Sequence, residues 1–288
     1  MSWQAKLEHL LRDRRSGSLH LLGRTVHLCA EMAHAGAAPE HLVAAVERLQ
    51  QAHPAMALLW NLGQRLREQA AQGATAAELV QSAQRFAEEV AESARQAVES
   101  VARELPSGAS VLTHSAGTQL YELLRRLREL GKQIELFCTL SLPGGEGAAL
   151  ARTARRLGMQ VCLVCDLQAY GVLKQVQLLL LGADALCLDG LVHKVGSAPL
   201  AYLAWMEHRP VWVLACSQKL LPQPWSEELE GEAPPCLRST LPQRRALYDC
   251  TPWEHLTLVA TEQGLLSAQL LRKQLLALTP EKPSNRGQ

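Results

Sequence analysis

The segment Gly182-Ala-Asp-Ala-Leu-Cys-Leu-Asp-Gly190, continuing through Leu191-Val-His-Lys-Val-Gly-Ser197, decides how this chain is read. Just before it, Leu178 to Leu181 is an unbroken apolar run. A run with no polar alternation predicts a central strand covered on both faces. Asp184 follows at the C-terminal end of that strand, where open α/β sheets gather their ligands. Asp189-Gly190 supplies a tight turn, and Gly196-Ser197 opens a helix that begins Ala198-Pro-Leu-Ala-Tyr-Leu. The segment thus reads as buried strand, turn and helix start. Backbone N–H groups at a helix start, with Lys194 beside them, make an expected phosphate site.

Working outward, strands and helices alternate on both sides of this segment. Before it come a strand around Val111, a helix over Gln119 to Leu130, a strand over Gln133 to Cys138, a helix over Gly147 to Leu157, the Val161 strand and a short helix near Gln168 to Leu173. After it come a helix over Pro199 to Glu207, a strand over Pro210 to Cys216, a strand at Thr257 and a helix over Leu265 to Leu276. This alternation predicts a mostly parallel sheet wound with right-handed crossovers. Residues 1–105 differ. Helical spacing of Leu, Ala and Val recurs over Trp3 to Arg12, Leu19 to Ala35, Glu40 to Gln51, Met56 to Ala70 and Ala76 to Glu104, with breaks at Ser16-Gly, Gly36 and His53-Pro. The expected layout is α/β: a helical N-terminal domain (1–105), then a Rossmann-like ligand-binding domain (106–279). Pro222 to Pro242 reads as an excursion loop and 280–288 as a disordered tail.

With 48% apolar residues the chain can bury a large core, and its formal net charge of +1 gives no basic excess for gripping nucleic acid or an anionic membrane. The charged, amphipathic start Met1-Ser-Trp-Gln-Ala-Lys-Leu-Glu does not read as a signal peptide, and no apolar run is long enough to span a bilayer. A cytoplasmic protein is expected. Cys162-Leu-Val-Cys165 has half of a zinc-site spacing, but it lies in an expected strand and has no second pair. Buried thiols in a reducing compartment are the expectation, with no metal and no cofactor.

Several segments together resemble one family, that of the alpha, beta and delta subunits of translation initiation factor 2B, with ribose-1,5-bisphosphate isomerase and methylthioribose-1-phosphate isomerase. They are Asp13-Arg-Arg-Ser-Gly-Ser18, Leu112-Thr-His-Ser115, Asp166, Gly182-Ala-Asp with Asp189-Gly and Lys194-Val-Gly-Ser197, and Tyr248-Asp-Cys-Thr-Pro-Trp-Glu254 with Thr261-Glu-Gln-Gly264. The resemblance implies a helical domain beside a Rossmann-like domain, a homo-oligomer (dimer or higher), and a pocket at the carboxyl ends of the strands. In the isomerases a cysteine and the aspartate of Gly-Ala-Asp turn an aldose 1-phosphate into a ketose 1-phosphate, and ring opening calls for an acid at the ring oxygen.

Carried across, Asp184 matches the catalytic aspartate and Lys194 the ligand-side lysine, but the cysteine position is Ser115. A hydroxyl is a poor substitute for a thiol unless a base activates it. His114 is next in sequence but faces the other way on a strand. Leu140 and Leu142 stand where the isomerases carry a glutamate and a phosphate-binding arginine, leaving Ser141 and Pro143, and His193 replaces an asparagine. Losing a bidentate arginine is not a conservative change. Ser141, Gly196, His114, His193 and Arg15 complete the candidate ligand contacts. Each candidate has a structural alternative: Asp184 as a cap, Lys194 as a solvated charge, the histidines as hydrogen-bonded core, Arg15 as a partner of Asp13. The expected function is an initiation factor 2B-like regulatory or scaffold protein with a residual sugar-phosphate or nucleotide pocket. The alternative is an isomerase of a phosphorylated pentose, of the ribose-1,5-bisphosphate or methylthioribose-1-phosphate type, with Asp184 as acid/base.

Overall fold

The computed structural model describes residues 2–225 and 246–278. Most of the excursion loop and the tail expected at 280–288 lie outside the described residues. Five helices come first: α1 (Trp3–Leu11), α2 (Ser18–His34), α3 (Pro39–Ala52), α4 (Ala57–Ala71) and α5 (Ala76–Glu104). Thr75 starts α5 with a capping box, its hydroxyl accepting from the Glu78 amide while the Glu78 carboxylate accepts from the Thr75 amide. One stripe of α5 is apolar along its whole length, about 44 Å at 1.5 Å per residue. Leu79, Ala83, Phe86 and Val90 pack into the helical core with Leu21, Leu42, Leu49 and Leu59. Val98, Val101 and Leu105 pack into a second core beneath the sheet. At roughly 1.5–3 kcal/mol for each large apolar side chain buried, this one helix ties the two cores together.

The rest of the chain is β1 (Ala109–His114), α6 (Thr118–Glu129), β2 (Ile134–Thr139), α7 (Gly147–Arg156), β3 (Gln160–Val164), α8 (Ala169–Leu173), β4 (Leu178–Leu181), β5 (Ala185–Leu186), β6 (Gly190–Lys194), α9 (Ser197–Met206), β7 (Val211–Leu214), β8 (Tyr248–Pro252), β9 (Leu258–Thr261), β10 (Gly264–Ser267) and α10 (Ala268–Ala277). The main sheet has seven strands in the order β10-β9-β7-β4-β1-β2-β3. Its pairs are parallel except β9 with β10. The fold is therefore α/β, helices first and then a mostly parallel sheet. Its order reverses direction between β1 and β4, the crevice where ligands bind in such sheets. All four leucines of β4 are buried, as an all-apolar strand requires.

Three local expectations are corrected. The segment after β4 does not run from a turn into a helix. Asp189-Gly190 closes a hairpin between β5 and β6, and β6 then pairs with β8 in a second, three-stranded antiparallel sheet. The first residues of the last expected helix, Leu265 to Ser267, are the edge strand β10. Cys162 and Cys165 are exposed rather than buried, because β3 forms the edge of the sheet and turns one face to solvent. Among the described residues, no helix is long and apolar enough to cross a membrane.

Candidate functional site

At the β1/β4 crevice a cleft of about 120 Å³ opens between the helical part and the sheet. Ser115, Asp184, His193, Lys194 and Arg15 all line it, joined by Glu146, Gln119, Lys219 and Tyr248. Leu140 and Leu142 are not among the lining residues, and Leu142 is exposed. The space therefore stays open. Among the described residues, no cysteine lines it either. The Cys138 thiol, on β2, is buried in the core, where loss of water pushes its pKa up to about 12.

Asp184 is placed by β4 and fixed through its backbone: its N–H donates to the Val192 carbonyl at 3.0 Å, and its own carbonyl accepts from the Ala57 N–H at 3.2 Å. Its carboxyl is held above the usual carboxylate range, chiefly by loss of water. Lys219, a hydrogen bond with Ser18 and Lys194 pull it back down. Lys219, which follows β7, is buried and donates to Gln119 Oε1 (3.0 Å) and the Ala183 carbonyl (2.7 Å). Gln119 is 4% exposed, and its Nε2 has no partner. It belongs to the first turn of α6, which no side chain caps, and residues 116–120 all line the cleft. Free N–H groups at that helix start, next to an unpartnered amide, can accept an anion.

Ser115 leaves β1 in a left-handed conformation (φ 71°), so the chain turns sharply before α6. That turn directs its hydroxyl to Glu146 Oε1 at 3.3 Å and not to His114. His114 is committed elsewhere, Nδ1 to Thr139 Oγ1 (2.7 Å) and Nε2 to the Val195 carbonyl (2.8 Å). Burial holds its pKa below the ordinary imidazole value. The base nearest to Ser115 is therefore Glu146, and Glu146 is ion-paired with Lys194 at 2.8 Å. Lys194 is buried, not a solvated charge. His193 hydrogen-bonds Ser197 Oγ (2.9 Å). Burial and the nearby His114, Lys219 and Lys194 hold it well below its usual pKa, so its ring is neutral in the cleft wall.

Three candidates fall outside the cleft lining: His114, whose ring is held as described, Ser141 and Gly196. Ser141 is fully buried behind Ser115 and accepts the Ser115 N–H (2.6 Å). Asp166 fixes that loop by accepting the N–H groups of Ser141 (2.7 Å) and Leu142 (2.8 Å). Gly196 caps α9 at φ 103°, but its N–H and that of Ala198 are taken by the Asp249 carboxylate at 2.7 and 3.2 Å. The phosphate site expected at this helix start is therefore filled by the protein's own carboxylate. Burial raises the Asp249 pKa to about 6 despite these bonds. Asp13, the alternative partner for Arg15, instead pairs with Arg24 and caps its own turn through the Arg15 and Ser16 N–H groups.

Sequence reasoning missed Glu146, Lys219 and Gln119. Lys219 carried the same signal as Asp184, a charged residue soon after a buried strand. Glu146 closes the Leu142-Pro-Gly-Gly-Glu146 segment, whose reading stopped at the missing arginine.

The family model for the initiation factor 2 subunit family matches residues 19–268. A translation initiation factor eIF-2B subunit 2-like protein of Pyrococcus furiosus is 31% identical over 178 residues, covering 61% of this chain and 64% of that protein. The ribose 1,5-bisphosphate isomerase of Methanocaldococcus jannaschii is 27% identical over 197 residues, covering 64% of each. The matches thus span somewhat under two thirds of these relatives' length. The solved eIF-2B of Pyrococcus horikoshii superposes with a TM-score of 0.81 at 24% identity, over 92% of this chain and 96% of that one. The 5-methylthioribose 1-phosphate isomerase of the same organism gives 0.74 at 21% identity, over 96% and 88%. These likenesses bear on the fold. Taken with the family match across most of its length, they establish that this chain belongs to the initiation factor 2 subunit family.

Proposed function

We propose that this chain is an initiation factor 2B-type regulatory or scaffold protein that binds a phosphorylated small molecule, a sugar phosphate or nucleotide, without efficient isomerisation. One observation carries the reading: among the described residues, the cleft keeps its charged groups but has no thiol in its lining. Ser115 stands in that role, and the carboxylate beside it is already neutralised by Lys194. A hydroxyl of ordinary acidity becomes a nucleophile or proton carrier only with an activating base beside it. The α6 start, with the unpartnered Gln119 amide, supports the phosphate subsite.

A second reading, isomerisation of a phosphorylated pentose, is favoured by Asp184. Its carboxyl lines the cleft and burial raises it above the usual carboxylate range, the direction an acid for the ring oxygen of an aldose 1-phosphate calls for. Two parts, 1–105 and 106–279, belong to the proposal and are supported by the separate hydrophobic clusters. So does a cytoplasmic homo-oligomer, supported by Tyr202, Trp205 and Met206 standing exposed on α9.

Thermal unfolding of wild type and Asp184→Asn with ribose 5-phosphate, ribose 1,5-bisphosphate and AMP tests the reading. Saturable stabilisation by one of them, weakened in the variant, is expected. Failure of all three to raise the midpoint overturns the pocket. Turnover of an aldose phosphate by wild type, lost in Asp184→Asn, replaces the regulatory reading with the enzymatic one.

A further inference from the structure

The three-stranded sheet brings together two cysteines that lie far apart in the sequence, Cys187 and Cys250. Ala185 on β5 and Cys250 on β8 both stand opposite Val192 of β6, so they share one face of the sheet. Cys187, two residues after Ala185, returns to that face. Beside it is Gly190 of β6, which puts no side chain between the two outer strands. Cys187 and Cys250 accordingly meet in a small apolar cluster with Ala185, Val192 and Leu221. The Cys250 S–H donates to the Cys187 sulfur, and the N–H groups of Gly190 and Asp189, in the hairpin turn, point at the same sulfur. The backbone of Cys187 is pinned as well. Its N–H donates to the Gly190 carbonyl at 2.8 Å, and its carbonyl accepts from Trp253 Nε1 at 2.9 Å.

These donors set Cys187 apart. Burial pushes the Cys29, Cys138 and Cys216 thiols up, whereas the bond from Cys250, helped by the two turn amides, holds Cys187 below its ordinary value in spite of burial. Cys250 is raised by the same shared proton and keeps part of its surface open to solvent. A sulfur poised to ionise, a second thiol beside it and an opening for a small oxidant are the requirements of a reversible disulfide.

We propose that Cys187 and Cys250 are a redox pair that hydrogen peroxide converts to a disulfide, fastening β5 to β8 across β6. The Cys187 thiolate attacks one peroxide oxygen, the O–O bond breaks, and the leaving hydroxide takes up a proton to become water. The Cys250 sulfur then attacks the resulting sulfenic acid, an S–S bond forms, and the S–O bond breaks to release a second water. The two thiols give up two electrons, and peroxide is reduced to water. Asp184, just before β5, and Tyr248, which opens β8, line the cleft, so the bond clasps one of its walls whatever the cleft holds.

Treating the whole chain with graded hydrogen peroxide, then iodoacetamide, and reading a non-reducing digest by mass spectrometry tests the pair. The Cys187 and Cys250 peptides should appear linked, lighter by two hydrogens than the separate pair, and should part again in dithiothreitol. In Cys250→Ser, Cys187 should stop at the sulfenic acid and be trapped by dimedone. Oxidised wild type should unfold at higher urea than reduced wild type, a gap that Cys250→Ser abolishes, because a cross-link over so long a loop restricts the unfolded chain. Cys187 and Cys250 both still alkylated while the exposed Cys162 and Cys165 are oxidised, or either one linked to a different cysteine, overturns the pair. Equal urea midpoints for cross-linked and reduced wild type overturn the fastening. The wild-type digest decides the pair even where the serine variant fails to fold.

Discussion

Asp249 offers a sharp test of the electrostatics around the cleft. Its carboxylate accepts N–H groups from Gly196 and Ala198, yet burial wins and raises its pKa from 3.8 to about 6. A raised acid contributes stability that is fully present below its unfolded pKa and is lost as pH climbs through the folded one. Between about pH 4 and pH 6 the folded chain therefore holds a proton that the unfolded chain has released, and stability falls as pH rises. At 1.36 kcal/mol per unit, ionising Asp249 costs the fold about 3 kcal/mol by pH 7, an upper value because the residue is partly exposed. Asp249→Asn resembles the protonated form and keeps one acceptor for the Gly196 amide. It should match wild type near pH 4 and exceed it at pH 7 by up to that amount. Urea unfolding of both proteins at pH 4, 5, 6 and 7 measures the gap. The buried His53, His114 and His193 titrate below their usual value and slope the other way. They do so in both proteins, so the difference isolates Asp249. A gap that stays constant across this range, or widens towards acid, refutes the argument that burial outweighs the capping bonds.

Gly196→Ala should destabilise the fold by about 2–3 kcal/mol, read as a lowered urea midpoint, because φ is 103° and the new Cβ would lie 2.9 Å from His114 Nε2. Thr75→Ala removes half of the α5 capping box and should cost about 1 kcal/mol in the same assay, with Thr75→Ser recovering most of it.

Much of the fold was legible because local and long-range signals agreed. The bounds of α5 follow from Thr75, Glu78 and an unbroken apolar stripe, and β4 from four consecutive leucines. The hairpin of β5 and β6 was not legible. Asp189-Gly190 is a hairpin turn, but β6 is stabilised by β8, more than fifty residues later, and nothing local announces that pairing. The same distance hid the fate of the α9 start, which looked free until Asp249 filled it. Leu265 and Leu266 fit the apolar pattern of the helix that follows them, so periodicity alone ran β10 into α10. Within the site, Asp184 and Lys194 stood out through their motif. Glu146 and Lys219 reach the same cleft only because β2 and β7 flank the β1/β4 pair on either side.

The cleft's lining runs from Arg14 to Tyr248 and draws on α2, α6, the three-stranded sheet and the loops that follow the main-sheet strands. No fragment that folds early contains it: the Lys219–Gln119 bond alone spans 100 residues. Such sequence-distant contacts form late and slow the search for the native state. A molecule bound there would hold together elements far apart in the chain, since a partial opening that frees α2, α6 or the β5–β6 hairpin also dismantles the site. Protease resistance of the intact protein should then rise everywhere at once when the cleft is filled, which makes survival in the cell itself a readout of ligand supply.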